Sequence, residues 1–222
     1  MAKDSHDFTY PSSLNAYAVS MRDYLSARPQ YHHIVVGAIV FHSDRVLLIK
    51  RAPNDSRPNL WEIAGGSCDA SDKSILAGAV RELREETGLS AARVSHHIEP
   101  DVEWVDRARR WLKVTFEVAV RNEGDPDGCV AVGVERTCEG GDSGSELRLE
   151  TEGQSSRLGS EGEVAPPAGV FPAVRLDPKE HQDYVWAREE DVRRGATDGF
   201  ALPFVSKAMQ DTILEGFRLR KG

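Results

Sequence analysis

Three carboxylates, Glu82, Glu85 and Glu86, stand at i, i+3 and i+4 within Arg81-Glu82-Leu83-Arg84-Glu85-Glu86-Thr87-Gly88-Leu89. On a helix that spacing sets all three on one face, within a few ångströms of each other. Like charges so placed repel, and helix formation gains nothing from them. A hard divalent cation reverses the sign of the interaction, because Mg²⁺ and Mn²⁺ prefer oxygen ligands and are commonly shared between carboxylates and substrate phosphates. Ahead of the trio, Trp61-Glu62-Ile63-Ala64-Gly65-Gly66 carries a glycine pair whose backbone can approach a ligand or metal closely. A solvated Glu/Arg-rich helix is the plainer reading of the trio. Against it, five fixed letters and two apolar positions in this arrangement are expected by chance with a probability on the order of 10⁻⁵ at ordinary residue frequencies.

Several elements must position these groups. Ser74 to Thr87 reads as a helix ended by Gly88. His33 to Phe41 and Arg45 to Lys50 are β-branched runs, and Ser43-Asp44 between them predicts a hairpin. Trp111 to Val120 alternates as a strand does, and Tyr184-Val185-Trp186 resumes strand character. Leu14, Ala18, Met21 and Leu25 recur at helical spacing behind Ser12-Ser13 and ahead of Pro29, which predicts one short amphipathic helix packed on the domain. A helix from about Phe204 to Leu219 closes the chain. Strands, a central helix, further strands and a last helix describe an α/β sandwich with a mixed sheet.

Composition narrows the partners. The 222 residues carry a formal charge of −8, and no apolar run approaches the length of a membrane span. Net acidity argues against gripping nucleic acid, which rests on neutralising phosphates with Lys and Arg. Between Asn122 and Ala165 stand eleven acids and three bases, enough to account for the whole net charge, with nine glycines and no aromatic residue. Such a segment cannot bury enough apolar area to offset its ordering entropy, and we expect an acidic disordered insertion there. The expected organisation is an N-terminal extension over 1–30, one domain over 31–121 and 166–222, and the insertion over 122–165. Three sparse cysteines (Cys68, Cys129, Cys138) and a start without a signal peptide's apolar centre suggest a reducing, cytoplasmic setting.

The residues from Arg81 to Leu89 resemble the second half of the Nudix hydrolase signature at every constrained position, and the wording around them is similar to that of fungal members. The first half departs: Lys73 stands where the family has Glu, and the spacing from Gly66 to Arg81 is one residue longer. Asp72 and Asp69 are the candidates for the missing carboxylate if the loop carries a one-residue insertion. The resemblance implies a Nudix-like α/β/α sandwich and Mg²⁺- or Mn²⁺-dependent hydrolysis of a phosphoanhydride in a nucleoside diphosphate derivative; homodimers also occur among such proteins.

By position, the resemblance makes Glu82, Glu85, Glu86 and the Gly65 carbonyl metal ligands, with Glu82 alternatively orienting the attacking water. It sets Arg81 behind them, holding a glutamate through a bidentate pair. Glu180 is the candidate general base, Glu103 a weaker one, and His181 is expected to orient the Glu180 loop. For substrate the candidates are Arg51, Trp104, Arg109 and Trp111. Cys68 has no neighbouring base to make it a nucleophile. A Nudix-like module that binds or senses a nucleotide without cutting it is the second reading, favoured by Lys73.

Overall fold

The structure, a computed structural model, describes residues 8–121 and 171–221 together with the backbone of a two-residue strand at 2–3. All belong to one compact unit, Met1–Val130 with Phe171–Gly222. The expected acidic insertion lies outside the described residues, as do Cys129 and Cys138.

The strands in chain order are β1 (Ala2–Lys3), β2 (Thr9–Tyr10), β3 (His33–Ile39), β4 (Phe41–His42), β5 (Arg45–Arg51), β6 (Trp61–Glu62), β7 (Ala91–Asp106), β8 (Arg109–Val120) and β9 (His181–Arg188). The helices are α1 (Met21–Ser26), α2 (Ile75–Thr87), α3 (Glu189–Arg194) and α4 (Lys207–Leu219). A five-stranded mixed sheet runs β1-β2-β7-β8-β3, with β3 parallel to β8 and β7 antiparallel to it. In the second sheet β5 pairs with β9 along its length, and with β4 and β6 at its two ends, all antiparallel. The fold class expected from the sequence is thus present, with the strands divided between two sheets.

Alternation along the strands makes two cores, one on each side of the sheets. Ile34, Val36, Ala38, Leu112, Val114 and Phe116 join Ile75, Leu76, Ala79 and Leu83 of α2 in the first. Ile39, Val46, Leu48, Trp61 and Ile63 join Met209, Ile213 and Phe217 of α4 in the second. Serines cap both helices: the Ser74 hydroxyl accepts from Ala77 N–H and the Ser206 hydroxyl from Met209 N–H. Gly88 closes α2 in the left-handed conformation. Among the described residues no helix is long and apolar enough to cross a membrane.

The segment after β6 links the sheets. Ala64 and Gly66 accept through their carbonyls from Ala38 and Val36 N–H, each at 2.8 Å, and Cys68 N–H donates to Ile34 O at 3.0 Å. The glycine pair therefore lies along the open edge of β3, where the two sheets part.

Some expectations need correction. The N-terminal helix is broken into a 3₁₀ turn (Ser12–Tyr17) and α1, because the Ser20 hydroxyl accepts from Asp23 N–H and starts a new helix. Leu14 and Tyr24 still reach the first core. The Ser43-Asp44 hairpin joins β5 to the two residues of β4 alone, while β3 pairs in the other sheet. Arg107 and Ala108, both at positive φ, form the tight turn between β7 and β8, and Arg109 already belongs to β8.

Candidate functional site

The apolar stripe of α2 runs Ile75, Ala79, Leu83 and continues at Glu86, so burial of the first three drives the Glu86 carboxylate inward. Glu86 is 5% exposed, and its Oε2 accepts from Gly65 N–H at 2.7 Å. Glu82 stands one turn earlier, against Gly66: a methyl added at Gly66 would come within 2.7 Å of its carboxylate. Glu180, in the turn before β9, and His181, its first residue, bring ligand atoms that lie with one of Glu86 within 4.8 Å of one another. His181 Nε2 lies 3.5 Å from Glu62 Oε1 and 4.0 Å from Glu86 Oε1, and its Nδ1 is buried without a hydrogen-bond partner.

Burial is the largest influence on Glu86 and pushes its carboxyl up to about 9. The Gly65 N–H opposes this, and the charges of Glu62, Glu82 and Glu180 add to it. Burial likewise raises Glu82, against the pull of Arg81. A carboxylate group held at that cost, with oxygen donors from Glu82, Glu86 and Glu180 around it, suits a hard divalent cation. The residues present fit the expected Mg²⁺ or Mn²⁺.

Arg81 organises the outer side. Its guanidinium forms a bidentate pair with Asp72 (Nε to Oδ1 2.8 Å, Nη2 to Oδ2 3.0 Å) and reaches Glu82 at 3.0 Å, Glu85 at 2.8 Å and Ser67 O at 3.1 Å. The expected bidentate partner was a glutamate; it is an aspartate, Asp72, buried and further fixed by Asp69 N–H at 2.7 Å. The extra residue between Gly66 and Arg81 accommodates the shorter carboxylate one position before Lys73. Glu85 does not join Glu82 and Glu86. Its side chain is 57% exposed and turned toward Arg81.

A cleft of about 550 Å³ opens beside the carboxylates, lined by Gly65, Gly66 and Glu62 at one end and by Glu103 and Trp104 of β7 elsewhere, with the first turns of α4 also contributing. Of the expected substrate residues, Trp104 lines it, 38% exposed and stacked on Trp111 with centroids 5.8 Å apart. Trp111 stands behind, stacked on His33 at 4.1 Å, with its Nε1 buried and unpartnered. Arg109 points to His33 Nε2 at 3.2 Å and does not line the cleft. Arg51 lines it, but its guanidinium is taken by Asp55 (2.6 Å) and by Glu62. Glu103 accepts from Tyr31 O–H at 2.5 Å. Cys68 is buried, its thiol pushed up to about 12 mainly by that burial, which excludes a thiolate nucleophile at neutral pH.

Two residues escaped sequence reasoning. Glu62, 5% exposed, links Arg51 to His181, and the only signal for it was its place beside the glycine pair. Lys113 lines the cleft, and nothing in its place on an alternating strand singled it out.

A family model described as the NUDIX domain matches residues 31–138. The CTP pyrophosphohydrolase of Escherichia coli (strain K12) is 42% identical over 57 residues, which are 26% of this chain and 42% of that enzyme, so the match spans less than half of the relative's length. A NUDIX hydrolase from Nitrosomonas europaea superposes with a TM-score of 0.50 at 15% identity, over 85% of this chain and 90% of that one; the likeness is one of fold. The NUDIX domain of Shewanella oneidensis NrtR complexed with ADP ribose superposes with a TM-score of 0.49 at 16% identity, over 92% of this chain and 100% of that one.

Proposed function

Because this chain belongs to the Nudix hydrolase superfamily, we propose that it hydrolyses a phosphoanhydride bond in a nucleoside diphosphate derivative with the help of Mg²⁺ or Mn²⁺. The observation that carries the reading is the buried Glu86 carboxyl, held by Gly65 N–H and crowded by Glu62, Glu82 and Glu180. Glu86 and Glu82 would hold the metal, with the Gly65 carbonyl as a further oxygen and Glu85 available from the rim. When bound, the ion would offset phosphate charge and lower the pKa of a coordinated water.

The chain's own groups divide the remaining tasks. Glu180 is exposed and close to Glu86, so it can accept the proton of an attacking water. His181, anchored through its own N–H to Asp177 O at 2.9 Å, fixes the turn that carries Glu180. Trp104 offers a partly exposed ring for the organic half of the substrate. Arg51 serves by neutralising Glu62 rather than by touching substrate. We place this activity in a reducing, intracellular setting, where the buried Cys68 stays a thiol.

Asp72 supports the reading of an active enzyme over a binding module, since it supplies to Arg81 the carboxylate that Lys73 does not. Asp72→Ala is expected to lower kcat/KM by about 10–100-fold, the usual effect of removing a group that orients a metal ligand. Asp72→Glu should recover part of the loss, and parental kcat/KM in the Ala variant would show that Arg81 is positioned without it.

Mass-resolved hydrolysis of a panel (CTP, ADP-ribose, NADH, dinucleoside polyphosphates, CoA) with Mg²⁺ or Mn²⁺ tests the function. Metal-dependent cleavage, lost in EDTA, is expected. A panel left intact, with one compound still raising the melting temperature, would select the binding module instead.

A further inference from the structure

The cleft has a shortage of positive charge that its sequence conceals. Its walls and the adjoining cluster carry Glu62, Glu82, Glu86, Glu103 and Glu180. Three cations line it: Arg51, Arg57 and Lys113. Asp55 and Glu62 occupy the Arg51 guanidinium, and Arg57 reaches out to Val205 O at 3.5 Å. The Lys113 ammonium has no hydrogen bond or ion pair among the described residues.

The strand register says where that ammonium goes. Lys113 pairs with Val102 on β7 and Val35 on β3, two residues along the same face from Trp111, which pairs with Trp104. Its stem leans away from the tryptophans, because a methyl built at Gly37 would meet Lys113 Cε at 3.0 Å. Gly37 Cα in turn lies 2.9 Å from where a Gly65 side chain would start. Lys113 thus crosses the sheet over a glycine, toward the glycine pair and the carboxylates. Burial lowers its pKa, while Glu62 and Glu86 act to keep it charged. An ammonium offers three donors and no acceptor, so the group it meets must be an acceptor.

We propose that Lys113 binds a non-bridging oxygen of the substrate's phosphate nearest the organic moiety, between the metal-holding carboxylates and the ring seated on Trp104. This rests on the reading of the cleft as a diphosphate site and names the protein group that meets the anion without a metal. Gly37 follows from it, since any side chain there would displace the lysine stem. The separation of roles also follows: Trp104 takes the flat ring, Lys113 the first phosphate, and the carboxylates what lies beyond it.

Binding in EDTA separates this from catalysis. Cytidine and cytidine 5′-monophosphate are titrated against the parent, Lys113→Met and Lys113→Gln, following tryptophan fluorescence, with a thermal melt of each protein. In the parent the monophosphate should bind at least 10-fold tighter than the nucleoside. In both variants that ratio should fall to about one, the loss expected for a charge-assisted hydrogen bond, with cytidine affinity within twofold of the parent and melting temperatures no lower. Equal weakening of nucleoside and nucleotide would mean that Lys113 reads the base, and the proposal fails. A parent that shows no preference for the monophosphate, or no binding of it, also overturns it, as do variants that keep the parental ratio. Failure of the hydrolase reading would appear separately, as an uncut panel with the monophosphate preference intact.

Discussion

Glu86→Gln is expected to abolish Mg²⁺-dependent turnover, by about 10³-fold or more, while raising the stability of the metal-free protein at alkaline pH. The rate loss follows from removing a ligand of the ion that would supply several kcal/mol of charge stabilisation in the transition state. The stability gain follows from linkage. The Glu86 carboxyl titrates near 4.5 when solvated and is pushed up to about 9 in the folded protein, by burial first. A raised pKa means that stability is fully present below about pH 4.5 and is lost progressively as pH rises toward 9, because the unfolded chain releases the proton that the folded one retains. The loss across that window is on the order of several kcal/mol for a shift of this size. Glutamine has no proton to lose and can still accept the Gly65 N–H. Melting curves in EDTA at pH 5, 7 and 9 should therefore converge for parent and variant at pH 5 and separate in favour of the variant at pH 9. Added Mg²⁺ should flatten the parental profile by stabilising the carboxylate. A parental melting temperature in EDTA as high at pH 9 as at pH 5, or parental turnover in the variant, would contradict the role given to Glu86.

Gly65→Ala is expected to cost about 3 kcal/mol or more, the upper end of what a forced backbone conformation brings. Gly65 sits at φ 151°, and a methyl there would begin 2.1 Å from Val36 O and 2.9 Å from Gly37 Cα. Both obstacles are backbone of β3, so no rotamer relieves them. The segment would have to leave the β3 edge, taking the Gly65 N–H away from Glu86. Urea midpoints of Gly65→Ala and Gly199→Ala provide the comparison, since an added methyl at Gly199 meets nothing within 4 Å. Equal midpoints would show that the edge can relax.

The sequence made α2 legible because every local signal agreed: Ser74 to start it, Gly88 to end it, an apolar stripe between, and Glu82 and Glu86 beside that stripe. It hid β7, whose polar run Ser95-His96-His97 and Pro100 obscure the alternation, although the strand persists through several register shifts. The N-terminal helix was misread because Ala18 and Met21 keep helical spacing across a break that only the Ser20 cap reveals. Lys113 went unnoticed for a different reason. Alternation tells which face of a strand a residue is on, but α4, from the far end of the chain, turns that face into the floor of a cleft. Arg51 was expected to meet substrate, but its guanidinium is claimed by Asp55, four residues on, and by Glu62, which the pairing of β5 with β6 brings near. Glu85 was expected beside Glu86 because helical spacing alone does not distinguish the inward edge of a face from its outward one.

The pairing of β5 with β9 joins Arg45 to Arg188 across the whole intervening chain. Closing a loop costs entropy that grows only with the logarithm of its length, about 0.6 kcal/mol per doubling. The connection before β9 can therefore lengthen or shorten over evolutionary time with little thermodynamic consequence, which is where one would look for lineage-specific additions. Kinetics is less forgiving, since distant pairings slow folding more than they weaken the folded state. Because Glu180 and His181 arrive at the head of β9, translation must pass residue 181 before the cluster around Glu86 can assemble. Until β9 is in place, a nascent chain holds only Glu86 of that three-residue cluster.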